Sequence, residues 1–281
     1  MKYIYIPFIA LIGLFSCETK VELDVTEGPK NIVIDGGISD KPGHDTIYLS
    51  LTQDYNSTED FTYVPGATLV VTEDGSLVDT LLEVNTGVYI TQKLNEGKIG
   101  STYQLYLKTA SGVEYQSSVE TMQEGPPIDS LYFRRKEELS SGAFLEEGYY
   151  GVLAFQDPAE ELNFMSYRYT INGVEQNKAS DFDLYSDKYT NGQYNSDFLI
   201  RNYPLKVGDE LKVEQVAITK YRYEYLTNLQ QLLNANGGPF DPPIPPVIGN
   251  IFKIGSTTEY ALGYFQAQSS LFEEGVVVER P

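Results

Sequence analysis

From Asn31 to Glu120 the chain is a series of short, alternating apolar stretches, each cut off by glycine, proline or an Asp-Gly pair. This rhythm constrains the fold more than any other feature, because alternation at period two puts every second side chain on one face of a strand. Thr46-Ile-Tyr-Leu-Ser-Leu-Thr52 places Ile47, Leu49 and Leu51 together. Asn31 to Asp35 is an apolar run that stops at Gly36-Gly37, and Ala67 to Val71 leads into Glu73-Asp74-Gly75, a hairpin signal. Gly87 to Thr91, Thr102 to Lys108 and Val113 to Val119 continue the series. About seven strands at this spacing predict an immunoglobulin-like β-sandwich over residues 31–122.

Gly125-Pro126-Pro127 marks a linker at 123–128, since paired prolines favour extended backbone. A second β-rich domain is expected over 129–281. Its strands are read at Ile128 to Phe133, Tyr149 to Phe155, Asn163 to Ile171, Glu210 to Thr219, Ile251 to Ile254 and Tyr260 to Gln268, with a hairpin turn at Asn172-Gly173. Residues 177–197 are polar and tyrosine-rich and read as loop. Tyr221, Tyr225, Leu226, Leu229, Leu232 and Leu233 recur at helical spacing behind Thr219, a plausible N-cap, and Gly237-Gly238 ends that helix. The prolines that follow, with Phe240, Ile244 and Val247, predict a strap over Phe240 to Pro246 packed across the second domain. The fold class expected is therefore mainly β, with one amphipathic helix. The 23 Tyr and 13 Phe agree with it, because aromatic residues suit a pleated, half-buried surface.

The N-terminus carries a separate message. Lys2 followed by an apolar run from Tyr3 to Phe15 has the form of a secretory signal, and the run is too short to span a bilayer. Leu14-Phe15-Ser16-Cys17 resembles a bacterial lipobox, in which cleavage precedes a cysteine bearing diacylglycerol. Cys17 is the chain's only cysteine, so no intrachain disulfide can form, and it is expected to be the lipidated first residue of the mature protein. Two or more acyl chains anchor a protein stably. Residues 1–16 are read as signal peptide and 17–30 as a charged tether, whose Glu18, Lys20, Glu22 and Asp24 resemble the export signal of Bacteroidota surface lipoproteins. With 40 acidic against 20 basic side chains, a formal charge of −20, the chain repels nucleic acid.

Phe155-Gln-Asp-Pro158, Gly238-Pro-Phe-Asp-Pro-Pro243, Gly249-Asn250-Ile251 and Gly263-Tyr-Phe265 follow the lipobox and sandwich in a fixed order. In that order they resemble the Bacteroidota lipoprotein family known as domain of unknown function 4249. The resemblance implies a genomic setting beside TonB-dependent outer-membrane receptors, and hence an accessory part in nutrient uptake, with such a receptor as partner. It names no activity, cofactor or substrate.

The residues themselves point away from catalysis. His44, the one histidine, lies in a predicted turn, and neither a G-x-S-x-G elbow nor an H-E-x-x-H zinc motif occurs. Asp181, Asp183, Asp187 and Asn191 offer oxygen ligands, but their spacing does not fit an EF-hand, so no metal or other cofactor is expected. Binding rests on aromatics: Phe182, Tyr185, Tyr189 and Tyr194 crowd one polar segment, and Tyr223 falls off the apolar face of the helix. Exposed tyrosines supply contact area at low conformational cost. Two functions follow as expectations, a non-enzymatic capture component of an uptake system and an independent surface protein binding glycan or peptide.

Overall fold

A computed structural model describes residues 30–54, 57, 60–139, 144–176, 183–200, 203–235 and 246–279. Cys17, Phe182 and all but Pro246 of the proline-rich stretch Phe240 to Pro246 lie outside the described residues. The first half forms β1 (Ile32–Ser39), β2 (Thr46–Leu51), β3 (Thr68–Glu73), β4 (Ser76–Thr80), β5 (Leu82–Asn85), β6 (Val88–Ile90), β7 (Thr102–Lys108), β8 (Glu114–Ser117) and β9 (Glu120–Thr121). The second half forms β10 (Ile128–Arg135), β11 (Tyr149–Gln156), β12 (Phe164–Ile171), β13 (Val174–Gln176), β14 (Asp183–Ser186), β15 (Tyr194–Leu199), β16 (Glu210–Ala217), α1 (Lys220–Leu233), β17 (Ile251–Lys253) and β18 (Tyr260–Val276). The protein is mainly β.

The hairpins form where the turn residues are. Asp74 and Gly75 take φ of 49° and 76°, and Asn172 and Gly173 take 50° and 77°, the left-handed pair that a two-residue turn between twisted strands requires. β1, however, runs on through Gly36-Gly37 instead of stopping there. A Cβ on Gly37 would sit 2.0 Å from the Gln266 carbonyl oxygen, so glycine there marks close approach of a neighbouring backbone. That neighbour is β18, paired with β1 in parallel from Val33↔Leu262 to Ser39↔Gln268.

β18 joins the two halves. Its first residues pair with β17, its middle with β1, and Ser269 to Val276 pair antiparallel with β16. β17 in turn pairs with β8, so the chain returns to the first half after completing most of the second. Ile34, Ile38, Ile47, Leu49, Leu69, Leu105, Phe265 and Ala267 share the first core. The second is more aromatic: the sheet β10-β11-β15 lies over β12 and β16 and encloses Phe155, Tyr167, Tyr169, Leu211 and Val213. A third, smaller cluster of Val216, Ile218 and Leu226 sits under α1.

The linker is packed between these cores. Gly125 and Pro126 are buried, the Gln215 Nε2 donates to the Pro126 carbonyl at 2.6 Å, and the Ser269 hydroxyl donates to the Gln123 carbonyl at 2.6 Å. The stretch 177–197, read as loop, contains β14 and the first four residues of β15. They pair in different sheets, β14 with β12 and β15 with β11, so the tyrosine-rich segment crosses from one layer to the other.

Candidate functional site

The aromatic residues singled out in the sequence do not form one patch. The Tyr185 ring meets Phe155 and Phe198 edge-on at 5.7 and 5.6 Å at the margin of the second core, with its hydroxyl 2.8 Å from the Thr190 hydroxyl. Tyr223 is half-buried, 5.2 Å from the Phe164 ring. Tyr189 and Tyr194 do face outward, at 84% and 55% exposure, and Lys188 lies over the Tyr189 ring. On α1 the apolar face is partly open: Leu226 is buried, while Tyr221 is 72% exposed and Leu232 and Leu233 are also exposed. The cap is as expected, with the Thr219 side chain accepting from the Arg222 N–H.

The seam between the halves holds what the sequence did not reveal. Glu120 on β9 is buried, and its Oε1 accepts from the Tyr264 hydroxyl at 2.8 Å, Asn250 Nδ2 at 3.1 Å and the Ser118 hydroxyl at 3.3 Å. Its Oε2 accepts from the Thr219 hydroxyl at 2.8 Å, tying the helix cap to the first half. Burial pushes the Glu120 carboxyl up, and these neutral donors offset only part of that. Asn250 also exchanges two hydrogen bonds with the Phe265 backbone, at 2.8 and 3.0 Å. Gly249 and Gly263 stack backbone on backbone: a Cβ on Gly249 would lie 1.7 Å from the Gly263 oxygen, and one on Gly263 1.9 Å from the Ile34 oxygen. The stretches Gly249-Asn250-Ile251 and Gly263-Tyr-Phe265 therefore meet at one buried carboxylate.

Glu120 also lines a seam cavity of about 290 Å³, with Gln123, Asn163, Met165 and Thr219. Exposed Val119, Leu162 and Tyr221 are among its lining residues, which therefore combine apolar contact with polar groups. A second hollow, of about 260 Å³, lies between the outer face of β1 and β12, lined by Lys41, Asp45, Arg168, Gln266 and Gln268. Lys41 and Arg168 share Glu214 there, at 2.5 and 3.5 Å. Between the two halves the Arg222 guanidinium is stacked 5.1 Å from the Tyr225 ring and 4.9 Å from the Tyr264 ring, with its Nε enclosed and unpartnered. Burial lowers its pKa from the ordinary arginine value.

His44 is exposed in the turn before β2. Among the described residues no three His, Cys, Asp or Glu side chains gather as a metal site, and no helix is long and apolar enough to cross a membrane. The model of the family described as domain of unknown function (DUF4249) matches residues 18–271. The chain belongs to that family. No curated protein matches it. The matched span takes in both halves, the shared strand as far as Leu271 and every residue of the Glu120 node.

Proposed function

We propose that this chain is a lipoprotein of the outer membrane, anchored through acyl chains on Cys17 and facing the cell exterior, that captures or admits a substrate for a TonB-dependent receptor without catalysing a reaction on it. The observation that carries this reading is the seam cavity. A hollow of about 290 Å³ lined by exposed Val119, Leu162 and Tyr221 and by polar Glu120 and Asn163 suits transient capture of a side chain or small ligand. The hydrogen-bonded node at Glu120 fixes the cavity wall. The same reading keeps the first half as an immunoglobulin-like sandwich, supported by two arms of one sheet, β4-β3-β7-β8 and β1-β2-β6-β5, joined through β17 and β18 and closing over one core.

The test is gentle detergent extraction of outer membranes carrying a C-terminally tagged chain, with Cys17→Ala as the unanchored control. A TonB-dependent receptor recovered in stoichiometric amount supports the reading, and recovery of the chain alone contradicts it. Exposed Tyr189 and Tyr194 favour a second reading, an independent surface protein for glycan or peptide. Under that reading the purified chain binds such a ligand with no receptor present, and Tyr189→Ala weakens it.

A further inference from the structure

Among the described residues, four enclosed side-chain oxygens of the second half accept no hydrogen bond: Gln268 Oε1 on β18 and, on three neighbouring segments, Asp157 Oδ1, Asp187 Oδ1 and Asn163 Oδ1. The last three belong to residues tied to one another. The other oxygen of Asp187 accepts the Asn163 N–H at 2.8 Å, and the Asp187 N–H donates back to the Asn163 carbonyl at 3.3 Å. The other oxygen of Asp157 accepts the Gly192 N–H at 2.8 Å, and the Asp157 N–H donates to the Gln193 carbonyl at 3.2 Å. Between them the turn is closed by the Thr190 N–H on the Asp187 carbonyl at 2.7 Å and the Gln193 N–H on the Thr190 carbonyl at 2.9 Å. Gly192 has φ of 76° there, and a Cβ on it would meet the Ala159 Cβ at 2.8 Å.

Asp157 is 1% exposed and Asp187 is fully buried. Burial raises the Asp157 carboxyl, and the facing Asp187 raises it further. Among the described residues no lysine, arginine or histidine pairs with either carboxylate, and Lys188, next to Asp187, lies over the Tyr189 ring. Two buried carboxylates with one bare oxygen each are costly unless a proton or a cation lies between them. A single shared proton bridges two oxygens and leaves the Asn163 amide oxygen bare. A hard cation between the two carboxyls has Asn163, hydrogen-bonded to Asp187 through its backbone, as a neighbouring oxygen donor.

We propose that Asp157, Asp187 and Asn163 bind one calcium ion. Calcium takes carboxylate and amide oxygens together and tolerates irregular geometry, whereas magnesium keeps most of its water. The ligands come from the end of β11, the start of β12 and the turn after β14, so the bound ion fixes the turn that presents Tyr189. The three are brought together by the fold and share no short motif, which is why loop spacing alone did not reveal them. This site does not depend on the uptake reading.

The test is calorimetric titration of calcium into the chelator-treated chain, with thermal unfolding alongside and matched magnesium and sodium controls. One site with an affinity of about 10⁻⁴ to 10⁻³ M or tighter is expected, together with a rise in Tm of several degrees in millimolar calcium. Asp157→Asn and Asp187→Asn should each abolish that response while leaving the calcium-free protein at least as stable, since each replaces one of two facing buried carboxyls by a neutral amide. Absence of a saturable site in the wild type overturns the proposal. So does an equal response to magnesium, or a response that both variants retain, because either would mean diffuse screening of a strongly acidic surface. A variant that does not fold leaves the wild-type titration to decide.

Discussion

Asp79 and Glu120 are both buried carboxylates within the first half, yet they are held in opposite ways. Asp79 Oδ2 accepts three successive backbone N–H groups, from Gln92, Lys93 and Leu94, at 2.8, 2.7 and 2.8 Å. Burial pushes its pKa up, but these backbone donors and that of Thr80 outweigh it and leave the carboxyl below the ordinary 3.8. Glu120 is held by three hydroxyls and an amide from separate segments, and there burial wins, so its carboxyl lies above the ordinary 4.5. Backbone N–H groups fixed by one local turn support a charge in the interior, whereas side-chain donors gathered from distant elements support it less well. The first half is thus clamped by a carboxyl whose charged form is favoured and the seam by one whose charged form is disfavoured.

That contrast can be broken most severely by removing the packing both sites rest on. Phe265→Ala empties a fully buried position on β18 and should cost about 4 kcal/mol in urea unfolding. Glu120→Ala strands the Tyr264 hydroxyl, Asn250 Nδ2 and the Thr219 hydroxyl and should cost about 3 kcal/mol. Asp79→Asn loses part of one clamp and should cost about 2 kcal/mol at neutral pH. The pH dependences sharpen the comparison because their signs differ. The depressed Asp79 contributes stability above pH 3.8 that is lost as pH falls through its folded pKa, and Asp79→Asn should remove that acid loss. The raised Glu120 contributes stability that is full below pH 4.5 and lost as pH rises through its folded pKa, so Glu120→Gln should flatten the decline above 4.5. The smallest effect belongs to Tyr221→Ala, which should change stability by less than about 0.5 kcal/mol while weakening capture at the seam.

Local features were legible in the sequence where local physics decides them. Strand β7 has its predicted limits, Asp74-Gly75 and Asn172-Gly173 turn as read, and Thr219 caps the helix. What escaped was decided by distant partners. β1 continues past Gly36-Gly37 because a strand more than 200 residues later lies against it, and β14 and β15 stand in a polar stretch because each has a neighbour in a different sheet. Tyr221 and Tyr223 exchanged places relative to the helical reading, since α1 rests on Phe164 and Ile218 as well as on its own leucines. Glu120 carries no local signal, and Asn250 and Tyr264 stand in short motifs whose sequence does not name their shared partner. Only the fold brings together residues separated by 130 and 144 positions.

The shared strand β18 and the Glu120 node make the two halves one body, so that the seam is a built site. Differential scanning calorimetry of the unlipidated chain tests it, with Phe265→Ala in the first core and Leu211→Ala in the second. A single transition is expected, with calorimetric and van't Hoff enthalpies equal, that both substitutions lower as a whole. Two transitions, each moved by only one of the substitutions, would contradict it.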